Sequence, residues 1–83
     1  MTAVASLVAA MRANPANVRF ADAVRVASHY FGPPRVRSSH RFFVTPWRGD
    51  LLVNLQRSGK NAKPYQVRRL LAAIERLEGE RHA

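Results

Sequence analysis

Apolar residues recur along this chain at two different periods. Val4, Leu7, Val8 and Met11 fall at i, i+3, i+4 and i+7, which places them on one side of a short helix. Asn14-Pro15 ends that helix, because the residue before a proline is pushed out of the helical region. Phe20, Ala23, Val24, Ala27, Tyr30 and Phe31 repeat the helical spacing. Asp22 in the first turn of this second helix suits the positive end of the helix dipole. Gly32 terminates the helix, and Pro33-Pro34 forbids its continuation.

The period then changes to two. Arg35-Val36-Arg37 alternates, Phe42 and Val44 share one face of a second run, and Leu51, Val53 and Leu55 share one face of a third. Such β-branched and aromatic runs, split by turn residues, predict three short strands. Ser38-Ser39 makes the tight turn between the first two, and Pro46-Trp47-Arg48-Gly49 the hairpin between the second and third. Residues 56–63 contain no large apolar residue and read as a polar, basic loop. Pro64 then suits the first position of a helix with an apolar stripe of Val67, Leu70, Leu71, Ile74 and Leu77. Gly79 is the expected stop, and residues 80–83 a frayed tail. The predicted order is α-α-β-β-β-α, an α+β fold with a three-stranded antiparallel meander and helices on one face.

Composition narrows what this fold does. Fourteen lysines and arginines against five acidic residues give a net charge of +9 on 83 residues. That points to a polyanionic partner: nucleic acid, an anionic membrane or an acidic protein. The excess is concentrated: residues 31–69 carry nine basic residues against Asp50 alone, or +8. Twelve of the fourteen are arginine, whose planar fork suits bidentate phosphate contacts. An apolar content of 47% is too high for a disordered basic tail. The absence of cysteine removes a disulfide scaffold, a thiolate zinc site and a cysteine nucleophile together. No apolar run approaches the ~20 residues of a membrane span. The first ten residues lack the positive charge that precedes the apolar part of a signal peptide. A membrane-surface role is disfavoured because the apolar helix stripes are needed for the core.

His40 is the candidate for chemistry. It follows the two-serine turn, with Arg35, Arg37 and Arg41 nearby in sequence. Histidine both accepts and donates protons near neutrality, and arginines stabilise charge building on a phosphoryl group. Such a site cleaves RNA without metal, by taking a proton from a ribose 2′-hydroxyl or giving one to the departing 5′-oxygen. The same pattern also fits a phosphate contact or a plain strand-surface residue. His29, on the polar side of the second helix, and His82, in the tail, read as solvated. Three scattered histidines without paired carboxylates form no metal site. Arg48-Gly49-Asp50 spells an adhesion tripeptide, but nothing accompanies it. Gly59 with Lys60 and Lys63 lacks the spacing of a P-loop, although such a loop still offers N–H and ammonium groups to phosphate. Trp47 at a hairpin tip either stacks on a base, folds back over the sheet or meets a protein.

Three stretches carry a family resemblance: Asn17-Val18-Arg19-Phe20-Ala21-Asp22, Ser38-Ser39-His40-Arg41-Phe42, and Gly59-Lys60 running through Lys63-Pro64-Tyr65-Gln66-Val67-Arg68-Arg69-Leu70-Leu71. Across residues 17–77 the chain resembles the HicA toxins of bacterial toxin–antitoxin systems. The last stretch is the most specific of the three. Residues 1–16 resemble the extra N-terminal helix of longer members, which leaves 17–79 as the toxin-like domain. The resemblance implies a fold like a double-stranded-RNA-binding domain. It also implies a cytoplasmic mRNA interferase that needs no cofactor and is held inactive by a HicB-type antitoxin. The family's catalytic histidine corresponds to His40. Two positions depart from the family pattern: Ser38 replaces a glycine, and Arg41 stands where a second histidine is often found. On this reading Ser39 and Arg41 are candidate catalytic helpers, and Arg35, Arg37, Lys60, Lys63 and Arg68 bind RNA phosphates. The competing expectations are an RNA-binding module without catalysis and an interaction domain that only docks an acidic partner.

Overall fold

The computed structural model describes residues 3–47 and 53–81. Two helices, α1 (Val4–Ala13) and α2 (Phe20–Phe31), precede four strands: β1 (Arg35–Arg37), β2 (His40–Phe43), β3 (Val53–Ser58) and β4 (Asn61–Ala62). A long helix, α3 (Pro64–Arg81), follows. The strands form one antiparallel sheet in the order β1-β2-β3-β4. Helices α2 and α3 pack on β3, α2 also reaches β2 and β4, and α1 bridges α2 and α3. Among the described residues no helix is long and apolar enough to cross a membrane.

The core is built from the spacings seen in the sequence, with local shifts. Helix α1 buries Leu7, Val8 and Met11 in the same core as the other helices and the sheet. Helix α2 buries Phe20, Ala23, Val26 and Ala27. Val26 takes the deep position expected of Val24, which packs at the margin with Tyr30 and Phe31. Val67, Leu70 and Ile74 of α3 are fully buried, while Leu71 is only partly covered. From the sheet come Phe43, Val53, Leu55 and Ala62.

Three expectations change. Phe42 and Val44 do not form the core face of the second strand: Phe43 is completely buried, and Val44 lies beyond the strand end and is exposed. The pleat follows from the pairing Phe43↔Val53 and Arg41↔Leu55, which turns His40 and Phe42 to the opposite face. The polar stretch 56–63 is a hairpin rather than a loop. Ser58 pairs with Asn61 and Arg57 with Ala62. Apolar patterning could not reveal it, because main-chain bonds hold it in place. The Ala62 N–H donates to the Val18 carbonyl at 2.8 Å, and the Phe20 N–H to the Lys60 carbonyl at 3.0 Å. The second bond satisfies the first amide of α2, which its own helix leaves unpaired. Finally, α3 runs through Gly79 to Arg81. A glycine stops a helix by adopting positive φ at its end; inside a helix it costs only about 1 kcal/mol relative to alanine. Glu80 beyond it is tied down by Trp47 and Arg76. His82 and the tip residues Arg48, Gly49 and Asp50, with Leu51 and Leu52, lie outside the described residues.

The two hairpins are built alike. Ser38-Ser39 joins Arg37 to His40, and Gly59-Lys60 joins Ser58 to Asn61. In each, the first central residue has positive φ, 54° at Ser38 and 64° at Gly59. Positive φ at that position alone is the pattern of a type II′ turn, where glycine is the usual residue. Among the described residues Ser38 is the only non-glycine with positive φ. That conformation costs an L-residue about 1–2 kcal/mol. Glycine would relieve the strain but bring about 0.4–1 kcal/mol of extra unfolded-state entropy. Ser38→Gly is therefore expected to stabilise the fold by about 0.5–1 kcal/mol. This reads as a higher urea midpoint at unchanged m-value. A lower midpoint would show that the serine side chain contributes more than the strain costs.

Candidate functional site

Antiparallel register gathers the candidate residues on the sheet face turned away from the helices. Arg37, His40 and Gln56 form one cross-strand row, and Arg35, Phe42 and Asn54 the next. Because β1 rises into the Ser38-Ser39 turn and β3 into the Gly59-Lys60 turn, both turns lie at the same end of the sheet, next to the His40 row. This end also receives Lys63, whose N–H donates to the Gln56 carbonyl at 3.3 Å and whose carbonyl accepts the Gln66 and Val67 amides in the first turn of α3.

His40 is half-buried and held on two sides. Its ring lies parallel to that of Phe42, with centroids 5.6 Å apart and planes 10° from parallel. Its Nδ1 stands 3.0 Å from the Asn54 Oδ1. An amide oxygen only accepts, so Nδ1 carries the hydrogen of this bond. In the neutral ring the remaining lone pair is then on Nε2. Asn54 thus selects a tautomer and an orientation, leaving the other ring nitrogen free to take a proton.

Behind this row lies a second amide. Gln66 at the start of α3 is 2% exposed. Its Oε1 accepts the Gln56 N–H at 2.7 Å, and its Nε2 donates to the Tyr65 hydroxyl oxygen at 3.3 Å. With the Lys63 amide it extends the β3 ladder beyond the short β4, fixing the backbone opposite His40. Among the described residues no buried side-chain polar atom lacks a partner.

The predicted residues divide by face. Arg35 and Arg37 are exposed and share the His40 face, and Ser39 adjoins it in the turn. Lys60 is exposed in the neighbouring turn, with Lys63 half-covered at its base. Arg41 is not brought to His40. It points to the helix side, with its guanidinium 5.7 Å from the centre of the Phe20 ring, which Arg57 also covers at 4.6 Å. Period-two alternation separates Arg41 from its neighbour, so support from this residue does not reach the ring. Arg68 is exposed on α3. His29 is exposed on α2, edge-on to Tyr30. Trp47 folds back on the helix layer: its Nε1–H donates to the Glu80 Oε2 at 2.7 Å and its ring meets Phe31 edge-on. Among the described residues no cluster of three or more metal-ligating side chains occurs.

The charges segregate as well. Glu75, Glu78 and Glu80 on α3 pair with Arg12 and Arg76. Among the described residues no ion pair engages Arg35, Arg37, Lys60 or Lys63, so this basic end of the sheet faces solvent. Sequence reasoning did not find Asn54, Gln56 or Gln66. For Asn54 a signal was present: it is the polar residue between Val53 and Leu55, which marks it as outward-facing on its own strand.

No protein-family model, curated protein or solved structure matches this chain.

The Asn54 contact has a spectroscopic consequence. Two-bond 15N–1H correlation on labelled protein is expected to show neutral His40 in its Nδ1–H form. Asn54→Ala, which removes the acceptor, is expected to shift the ring toward the Nε2–H form. An unchanged tautomer in that variant would contradict the assigned role of Asn54.

Proposed function

We propose that this chain is an RNA-cleaving toxin of the HicA type, with a fold like that of a double-stranded-RNA-binding domain and His40 as its acid/base. The observation that carries the reading is the His40–Asn54 pair on a solvent-facing, arginine-flanked sheet row. It supplies a half-buried histidine with one ring nitrogen anchored, beside cations that no described carboxylate neutralises.

The chemistry that fits these groups is transesterification by the RNA itself. His40 Nε2 takes the proton from a ribose 2′-hydroxyl. The 2′-oxygen attacks the adjacent phosphorus as the bond from phosphorus to the 5′-oxygen breaks. The proton on the imidazolium passes to that departing 5′-oxygen. The products are a 2′,3′-cyclic phosphate and a 5′-hydroxyl, and His40 returns to its neutral form. Arg37 in the same row, with Arg35, Lys60 and Lys63 around it, holds the phosphoryl group and offsets charge on its oxygens. Arg41, on the other face, takes no part. Ser39 contributes its hydroxyl or main-chain N–H from the turn.

The strained Ser38 favours a second reading, an RNA-binding domain without turnover, because a displaced turn would misdirect His40. On either reading the partner that silences the chain is a HicB-type antitoxin, which would cover the outward face or present carboxylates to Arg35 and Arg37.

His40→Ala is expected to lower RNA cleavage by about 10²–10⁴-fold and to abolish growth inhibition on induction. RNA affinity and thermal stability should stay near wild type. Asn54→Ala should lower cleavage less, with RNA affinity retained. Cleavage at the wild-type rate in His40→Ala would overturn the assignment. Salt-sensitive binding with no cleavage by the wild-type chain would favour the second reading.

A further inference from the structure

A groove of about 450 Å³ opens between β3 and α3, inside the range of about 300–1,000 Å³ typical of ligand sites. Trp47 closes one end. Its indole is fixed by the hydrogen bond to Glu80, and one ring face is covered by the Arg76 guanidinium at 4.3 Å. Ala72 and Ala73 of α3 leave the space in the middle. At the other end stands Tyr65, 49% exposed despite its size, with the Arg69 guanidinium 5.7 Å from its ring centre. Asn54 belongs to the groove wall and also holds the His40 ring. The groove and the candidate base therefore share a residue.

We infer that this groove takes an unpaired nucleobase flanking the scissile phosphate, stacked on Tyr65. The inference rests on the RNA-cleaving reading above and specifies the substrate as single-stranded. An aromatic ring left half in solvent beside arginines is the surface on which unstacked bases settle. Its hydroxyl is already engaged by Gln66, so the ring face is what it offers. Arg69 and Arg76 line the walls, and among the described residues no acidic side chain does, which suits a strand with a phosphate on either side of the base. Asn54 gives the pocket a polar edge and is the residue that bonds the His40 ring. A base seated there brings its own ribose and phosphate toward His40. Bases in a duplex are stacked on their neighbours and cannot enter.

The test uses the wild-type full chain and a short single-stranded RNA made uncleavable by 2′-O-methylation, with 2-aminopurine as a fluorescent base. Wild type is expected to quench the fluorescence on binding. Tyr65→Ala should weaken binding about tenfold or more and lose the quench. Tyr65→Phe, which keeps the ring but not the hydroxyl, should retain both. A 2′-O-methylated duplex should compete poorly. Wild-type affinity and quenching in Tyr65→Ala, or equal binding of duplex, would overturn the inference and leave RNA cleavage by His40 standing. That is also the result expected if the groove receives a protein partner instead. Failure of wild type to bind either RNA would overturn both readings together.

Discussion

Phe43 is completely buried between the sheet and its helices, and its burial decides which way the rest of β2 points. Side chains along a strand alternate between faces, so a slip of one residue would exchange every inward and outward position. With Phe43 inward opposite Val53, Arg41 also turns inward and lies against Phe20. His40 and Phe42 must then face out. The same register sets Asn54 and Gln56 outward on β3 and Arg35 and Arg37 outward on β1. The polar face is thus a consequence of how the apolar face packs. Burying a side chain the size of Phe43 contributes about 1.5–3 kcal/mol, enough to make the slipped arrangement costly.

Local hydrogen bonds tie this face to the helices. The Gly59-Lys60 turn is tied to the start of α2 through the Lys60 carbonyl, and β4 to Val18. Gln66 and the Lys63 amide complete the edge of β3 at Gln56. The backbone opposite His40 is therefore supported from α2 and α3 at once, while Asn54 and Phe42 hold the ring itself. Charge is divided along the same lines. The α3 carboxylates answer Arg12 and Arg76, exposed pairs of the kind that contribute about 0–1 kcal/mol. Their main effect is to keep acidic groups on the helix layer and leave the turn end of the sheet strongly positive.

The helices were legible because their stripes answer to one requirement, burial on one side, and because Pro15, Gly32 and Pro64 mark boundaries with unambiguous backbone chemistry. The deep position of Val26 was less visible. Adjacent apolar residues at 23, 24, 26 and 27 satisfy the helical period equally well, and tertiary packing chooses among them. In β2 the consecutive Phe42 and Phe43 left the inward phase undetermined until β3 was paired with it. The 56–63 part of the β3–β4 hairpin carries no large apolar residue to signal it, since main-chain bonds and Gln66 hold it. Gly79 misled for a related reason: whether a glycine ends a helix depends on what lies beyond it, here Glu80 with its bond from Trp47. His40 stood out by residue type. Asn54 did not, because its importance is a cross-strand relation that only the register reveals.

We propose that His40, oriented by Asn54 and flanked by cations, lets the ribose 2′-hydroxyl of an RNA attack its own phosphodiester. Mass spectrometry of the fragments from a short synthetic RNA, digested by the wild-type chain in the presence of EDTA, tests this directly. Fragments ending in a 2′,3′-cyclic phosphate and beginning with a 5′-hydroxyl are expected, with no cut where a single 2′-deoxy nucleotide replaces the attacking residue. Fragments carrying a 5′-phosphate and a 3′-hydroxyl, or cleavage that persists at the deoxy position, would contradict it.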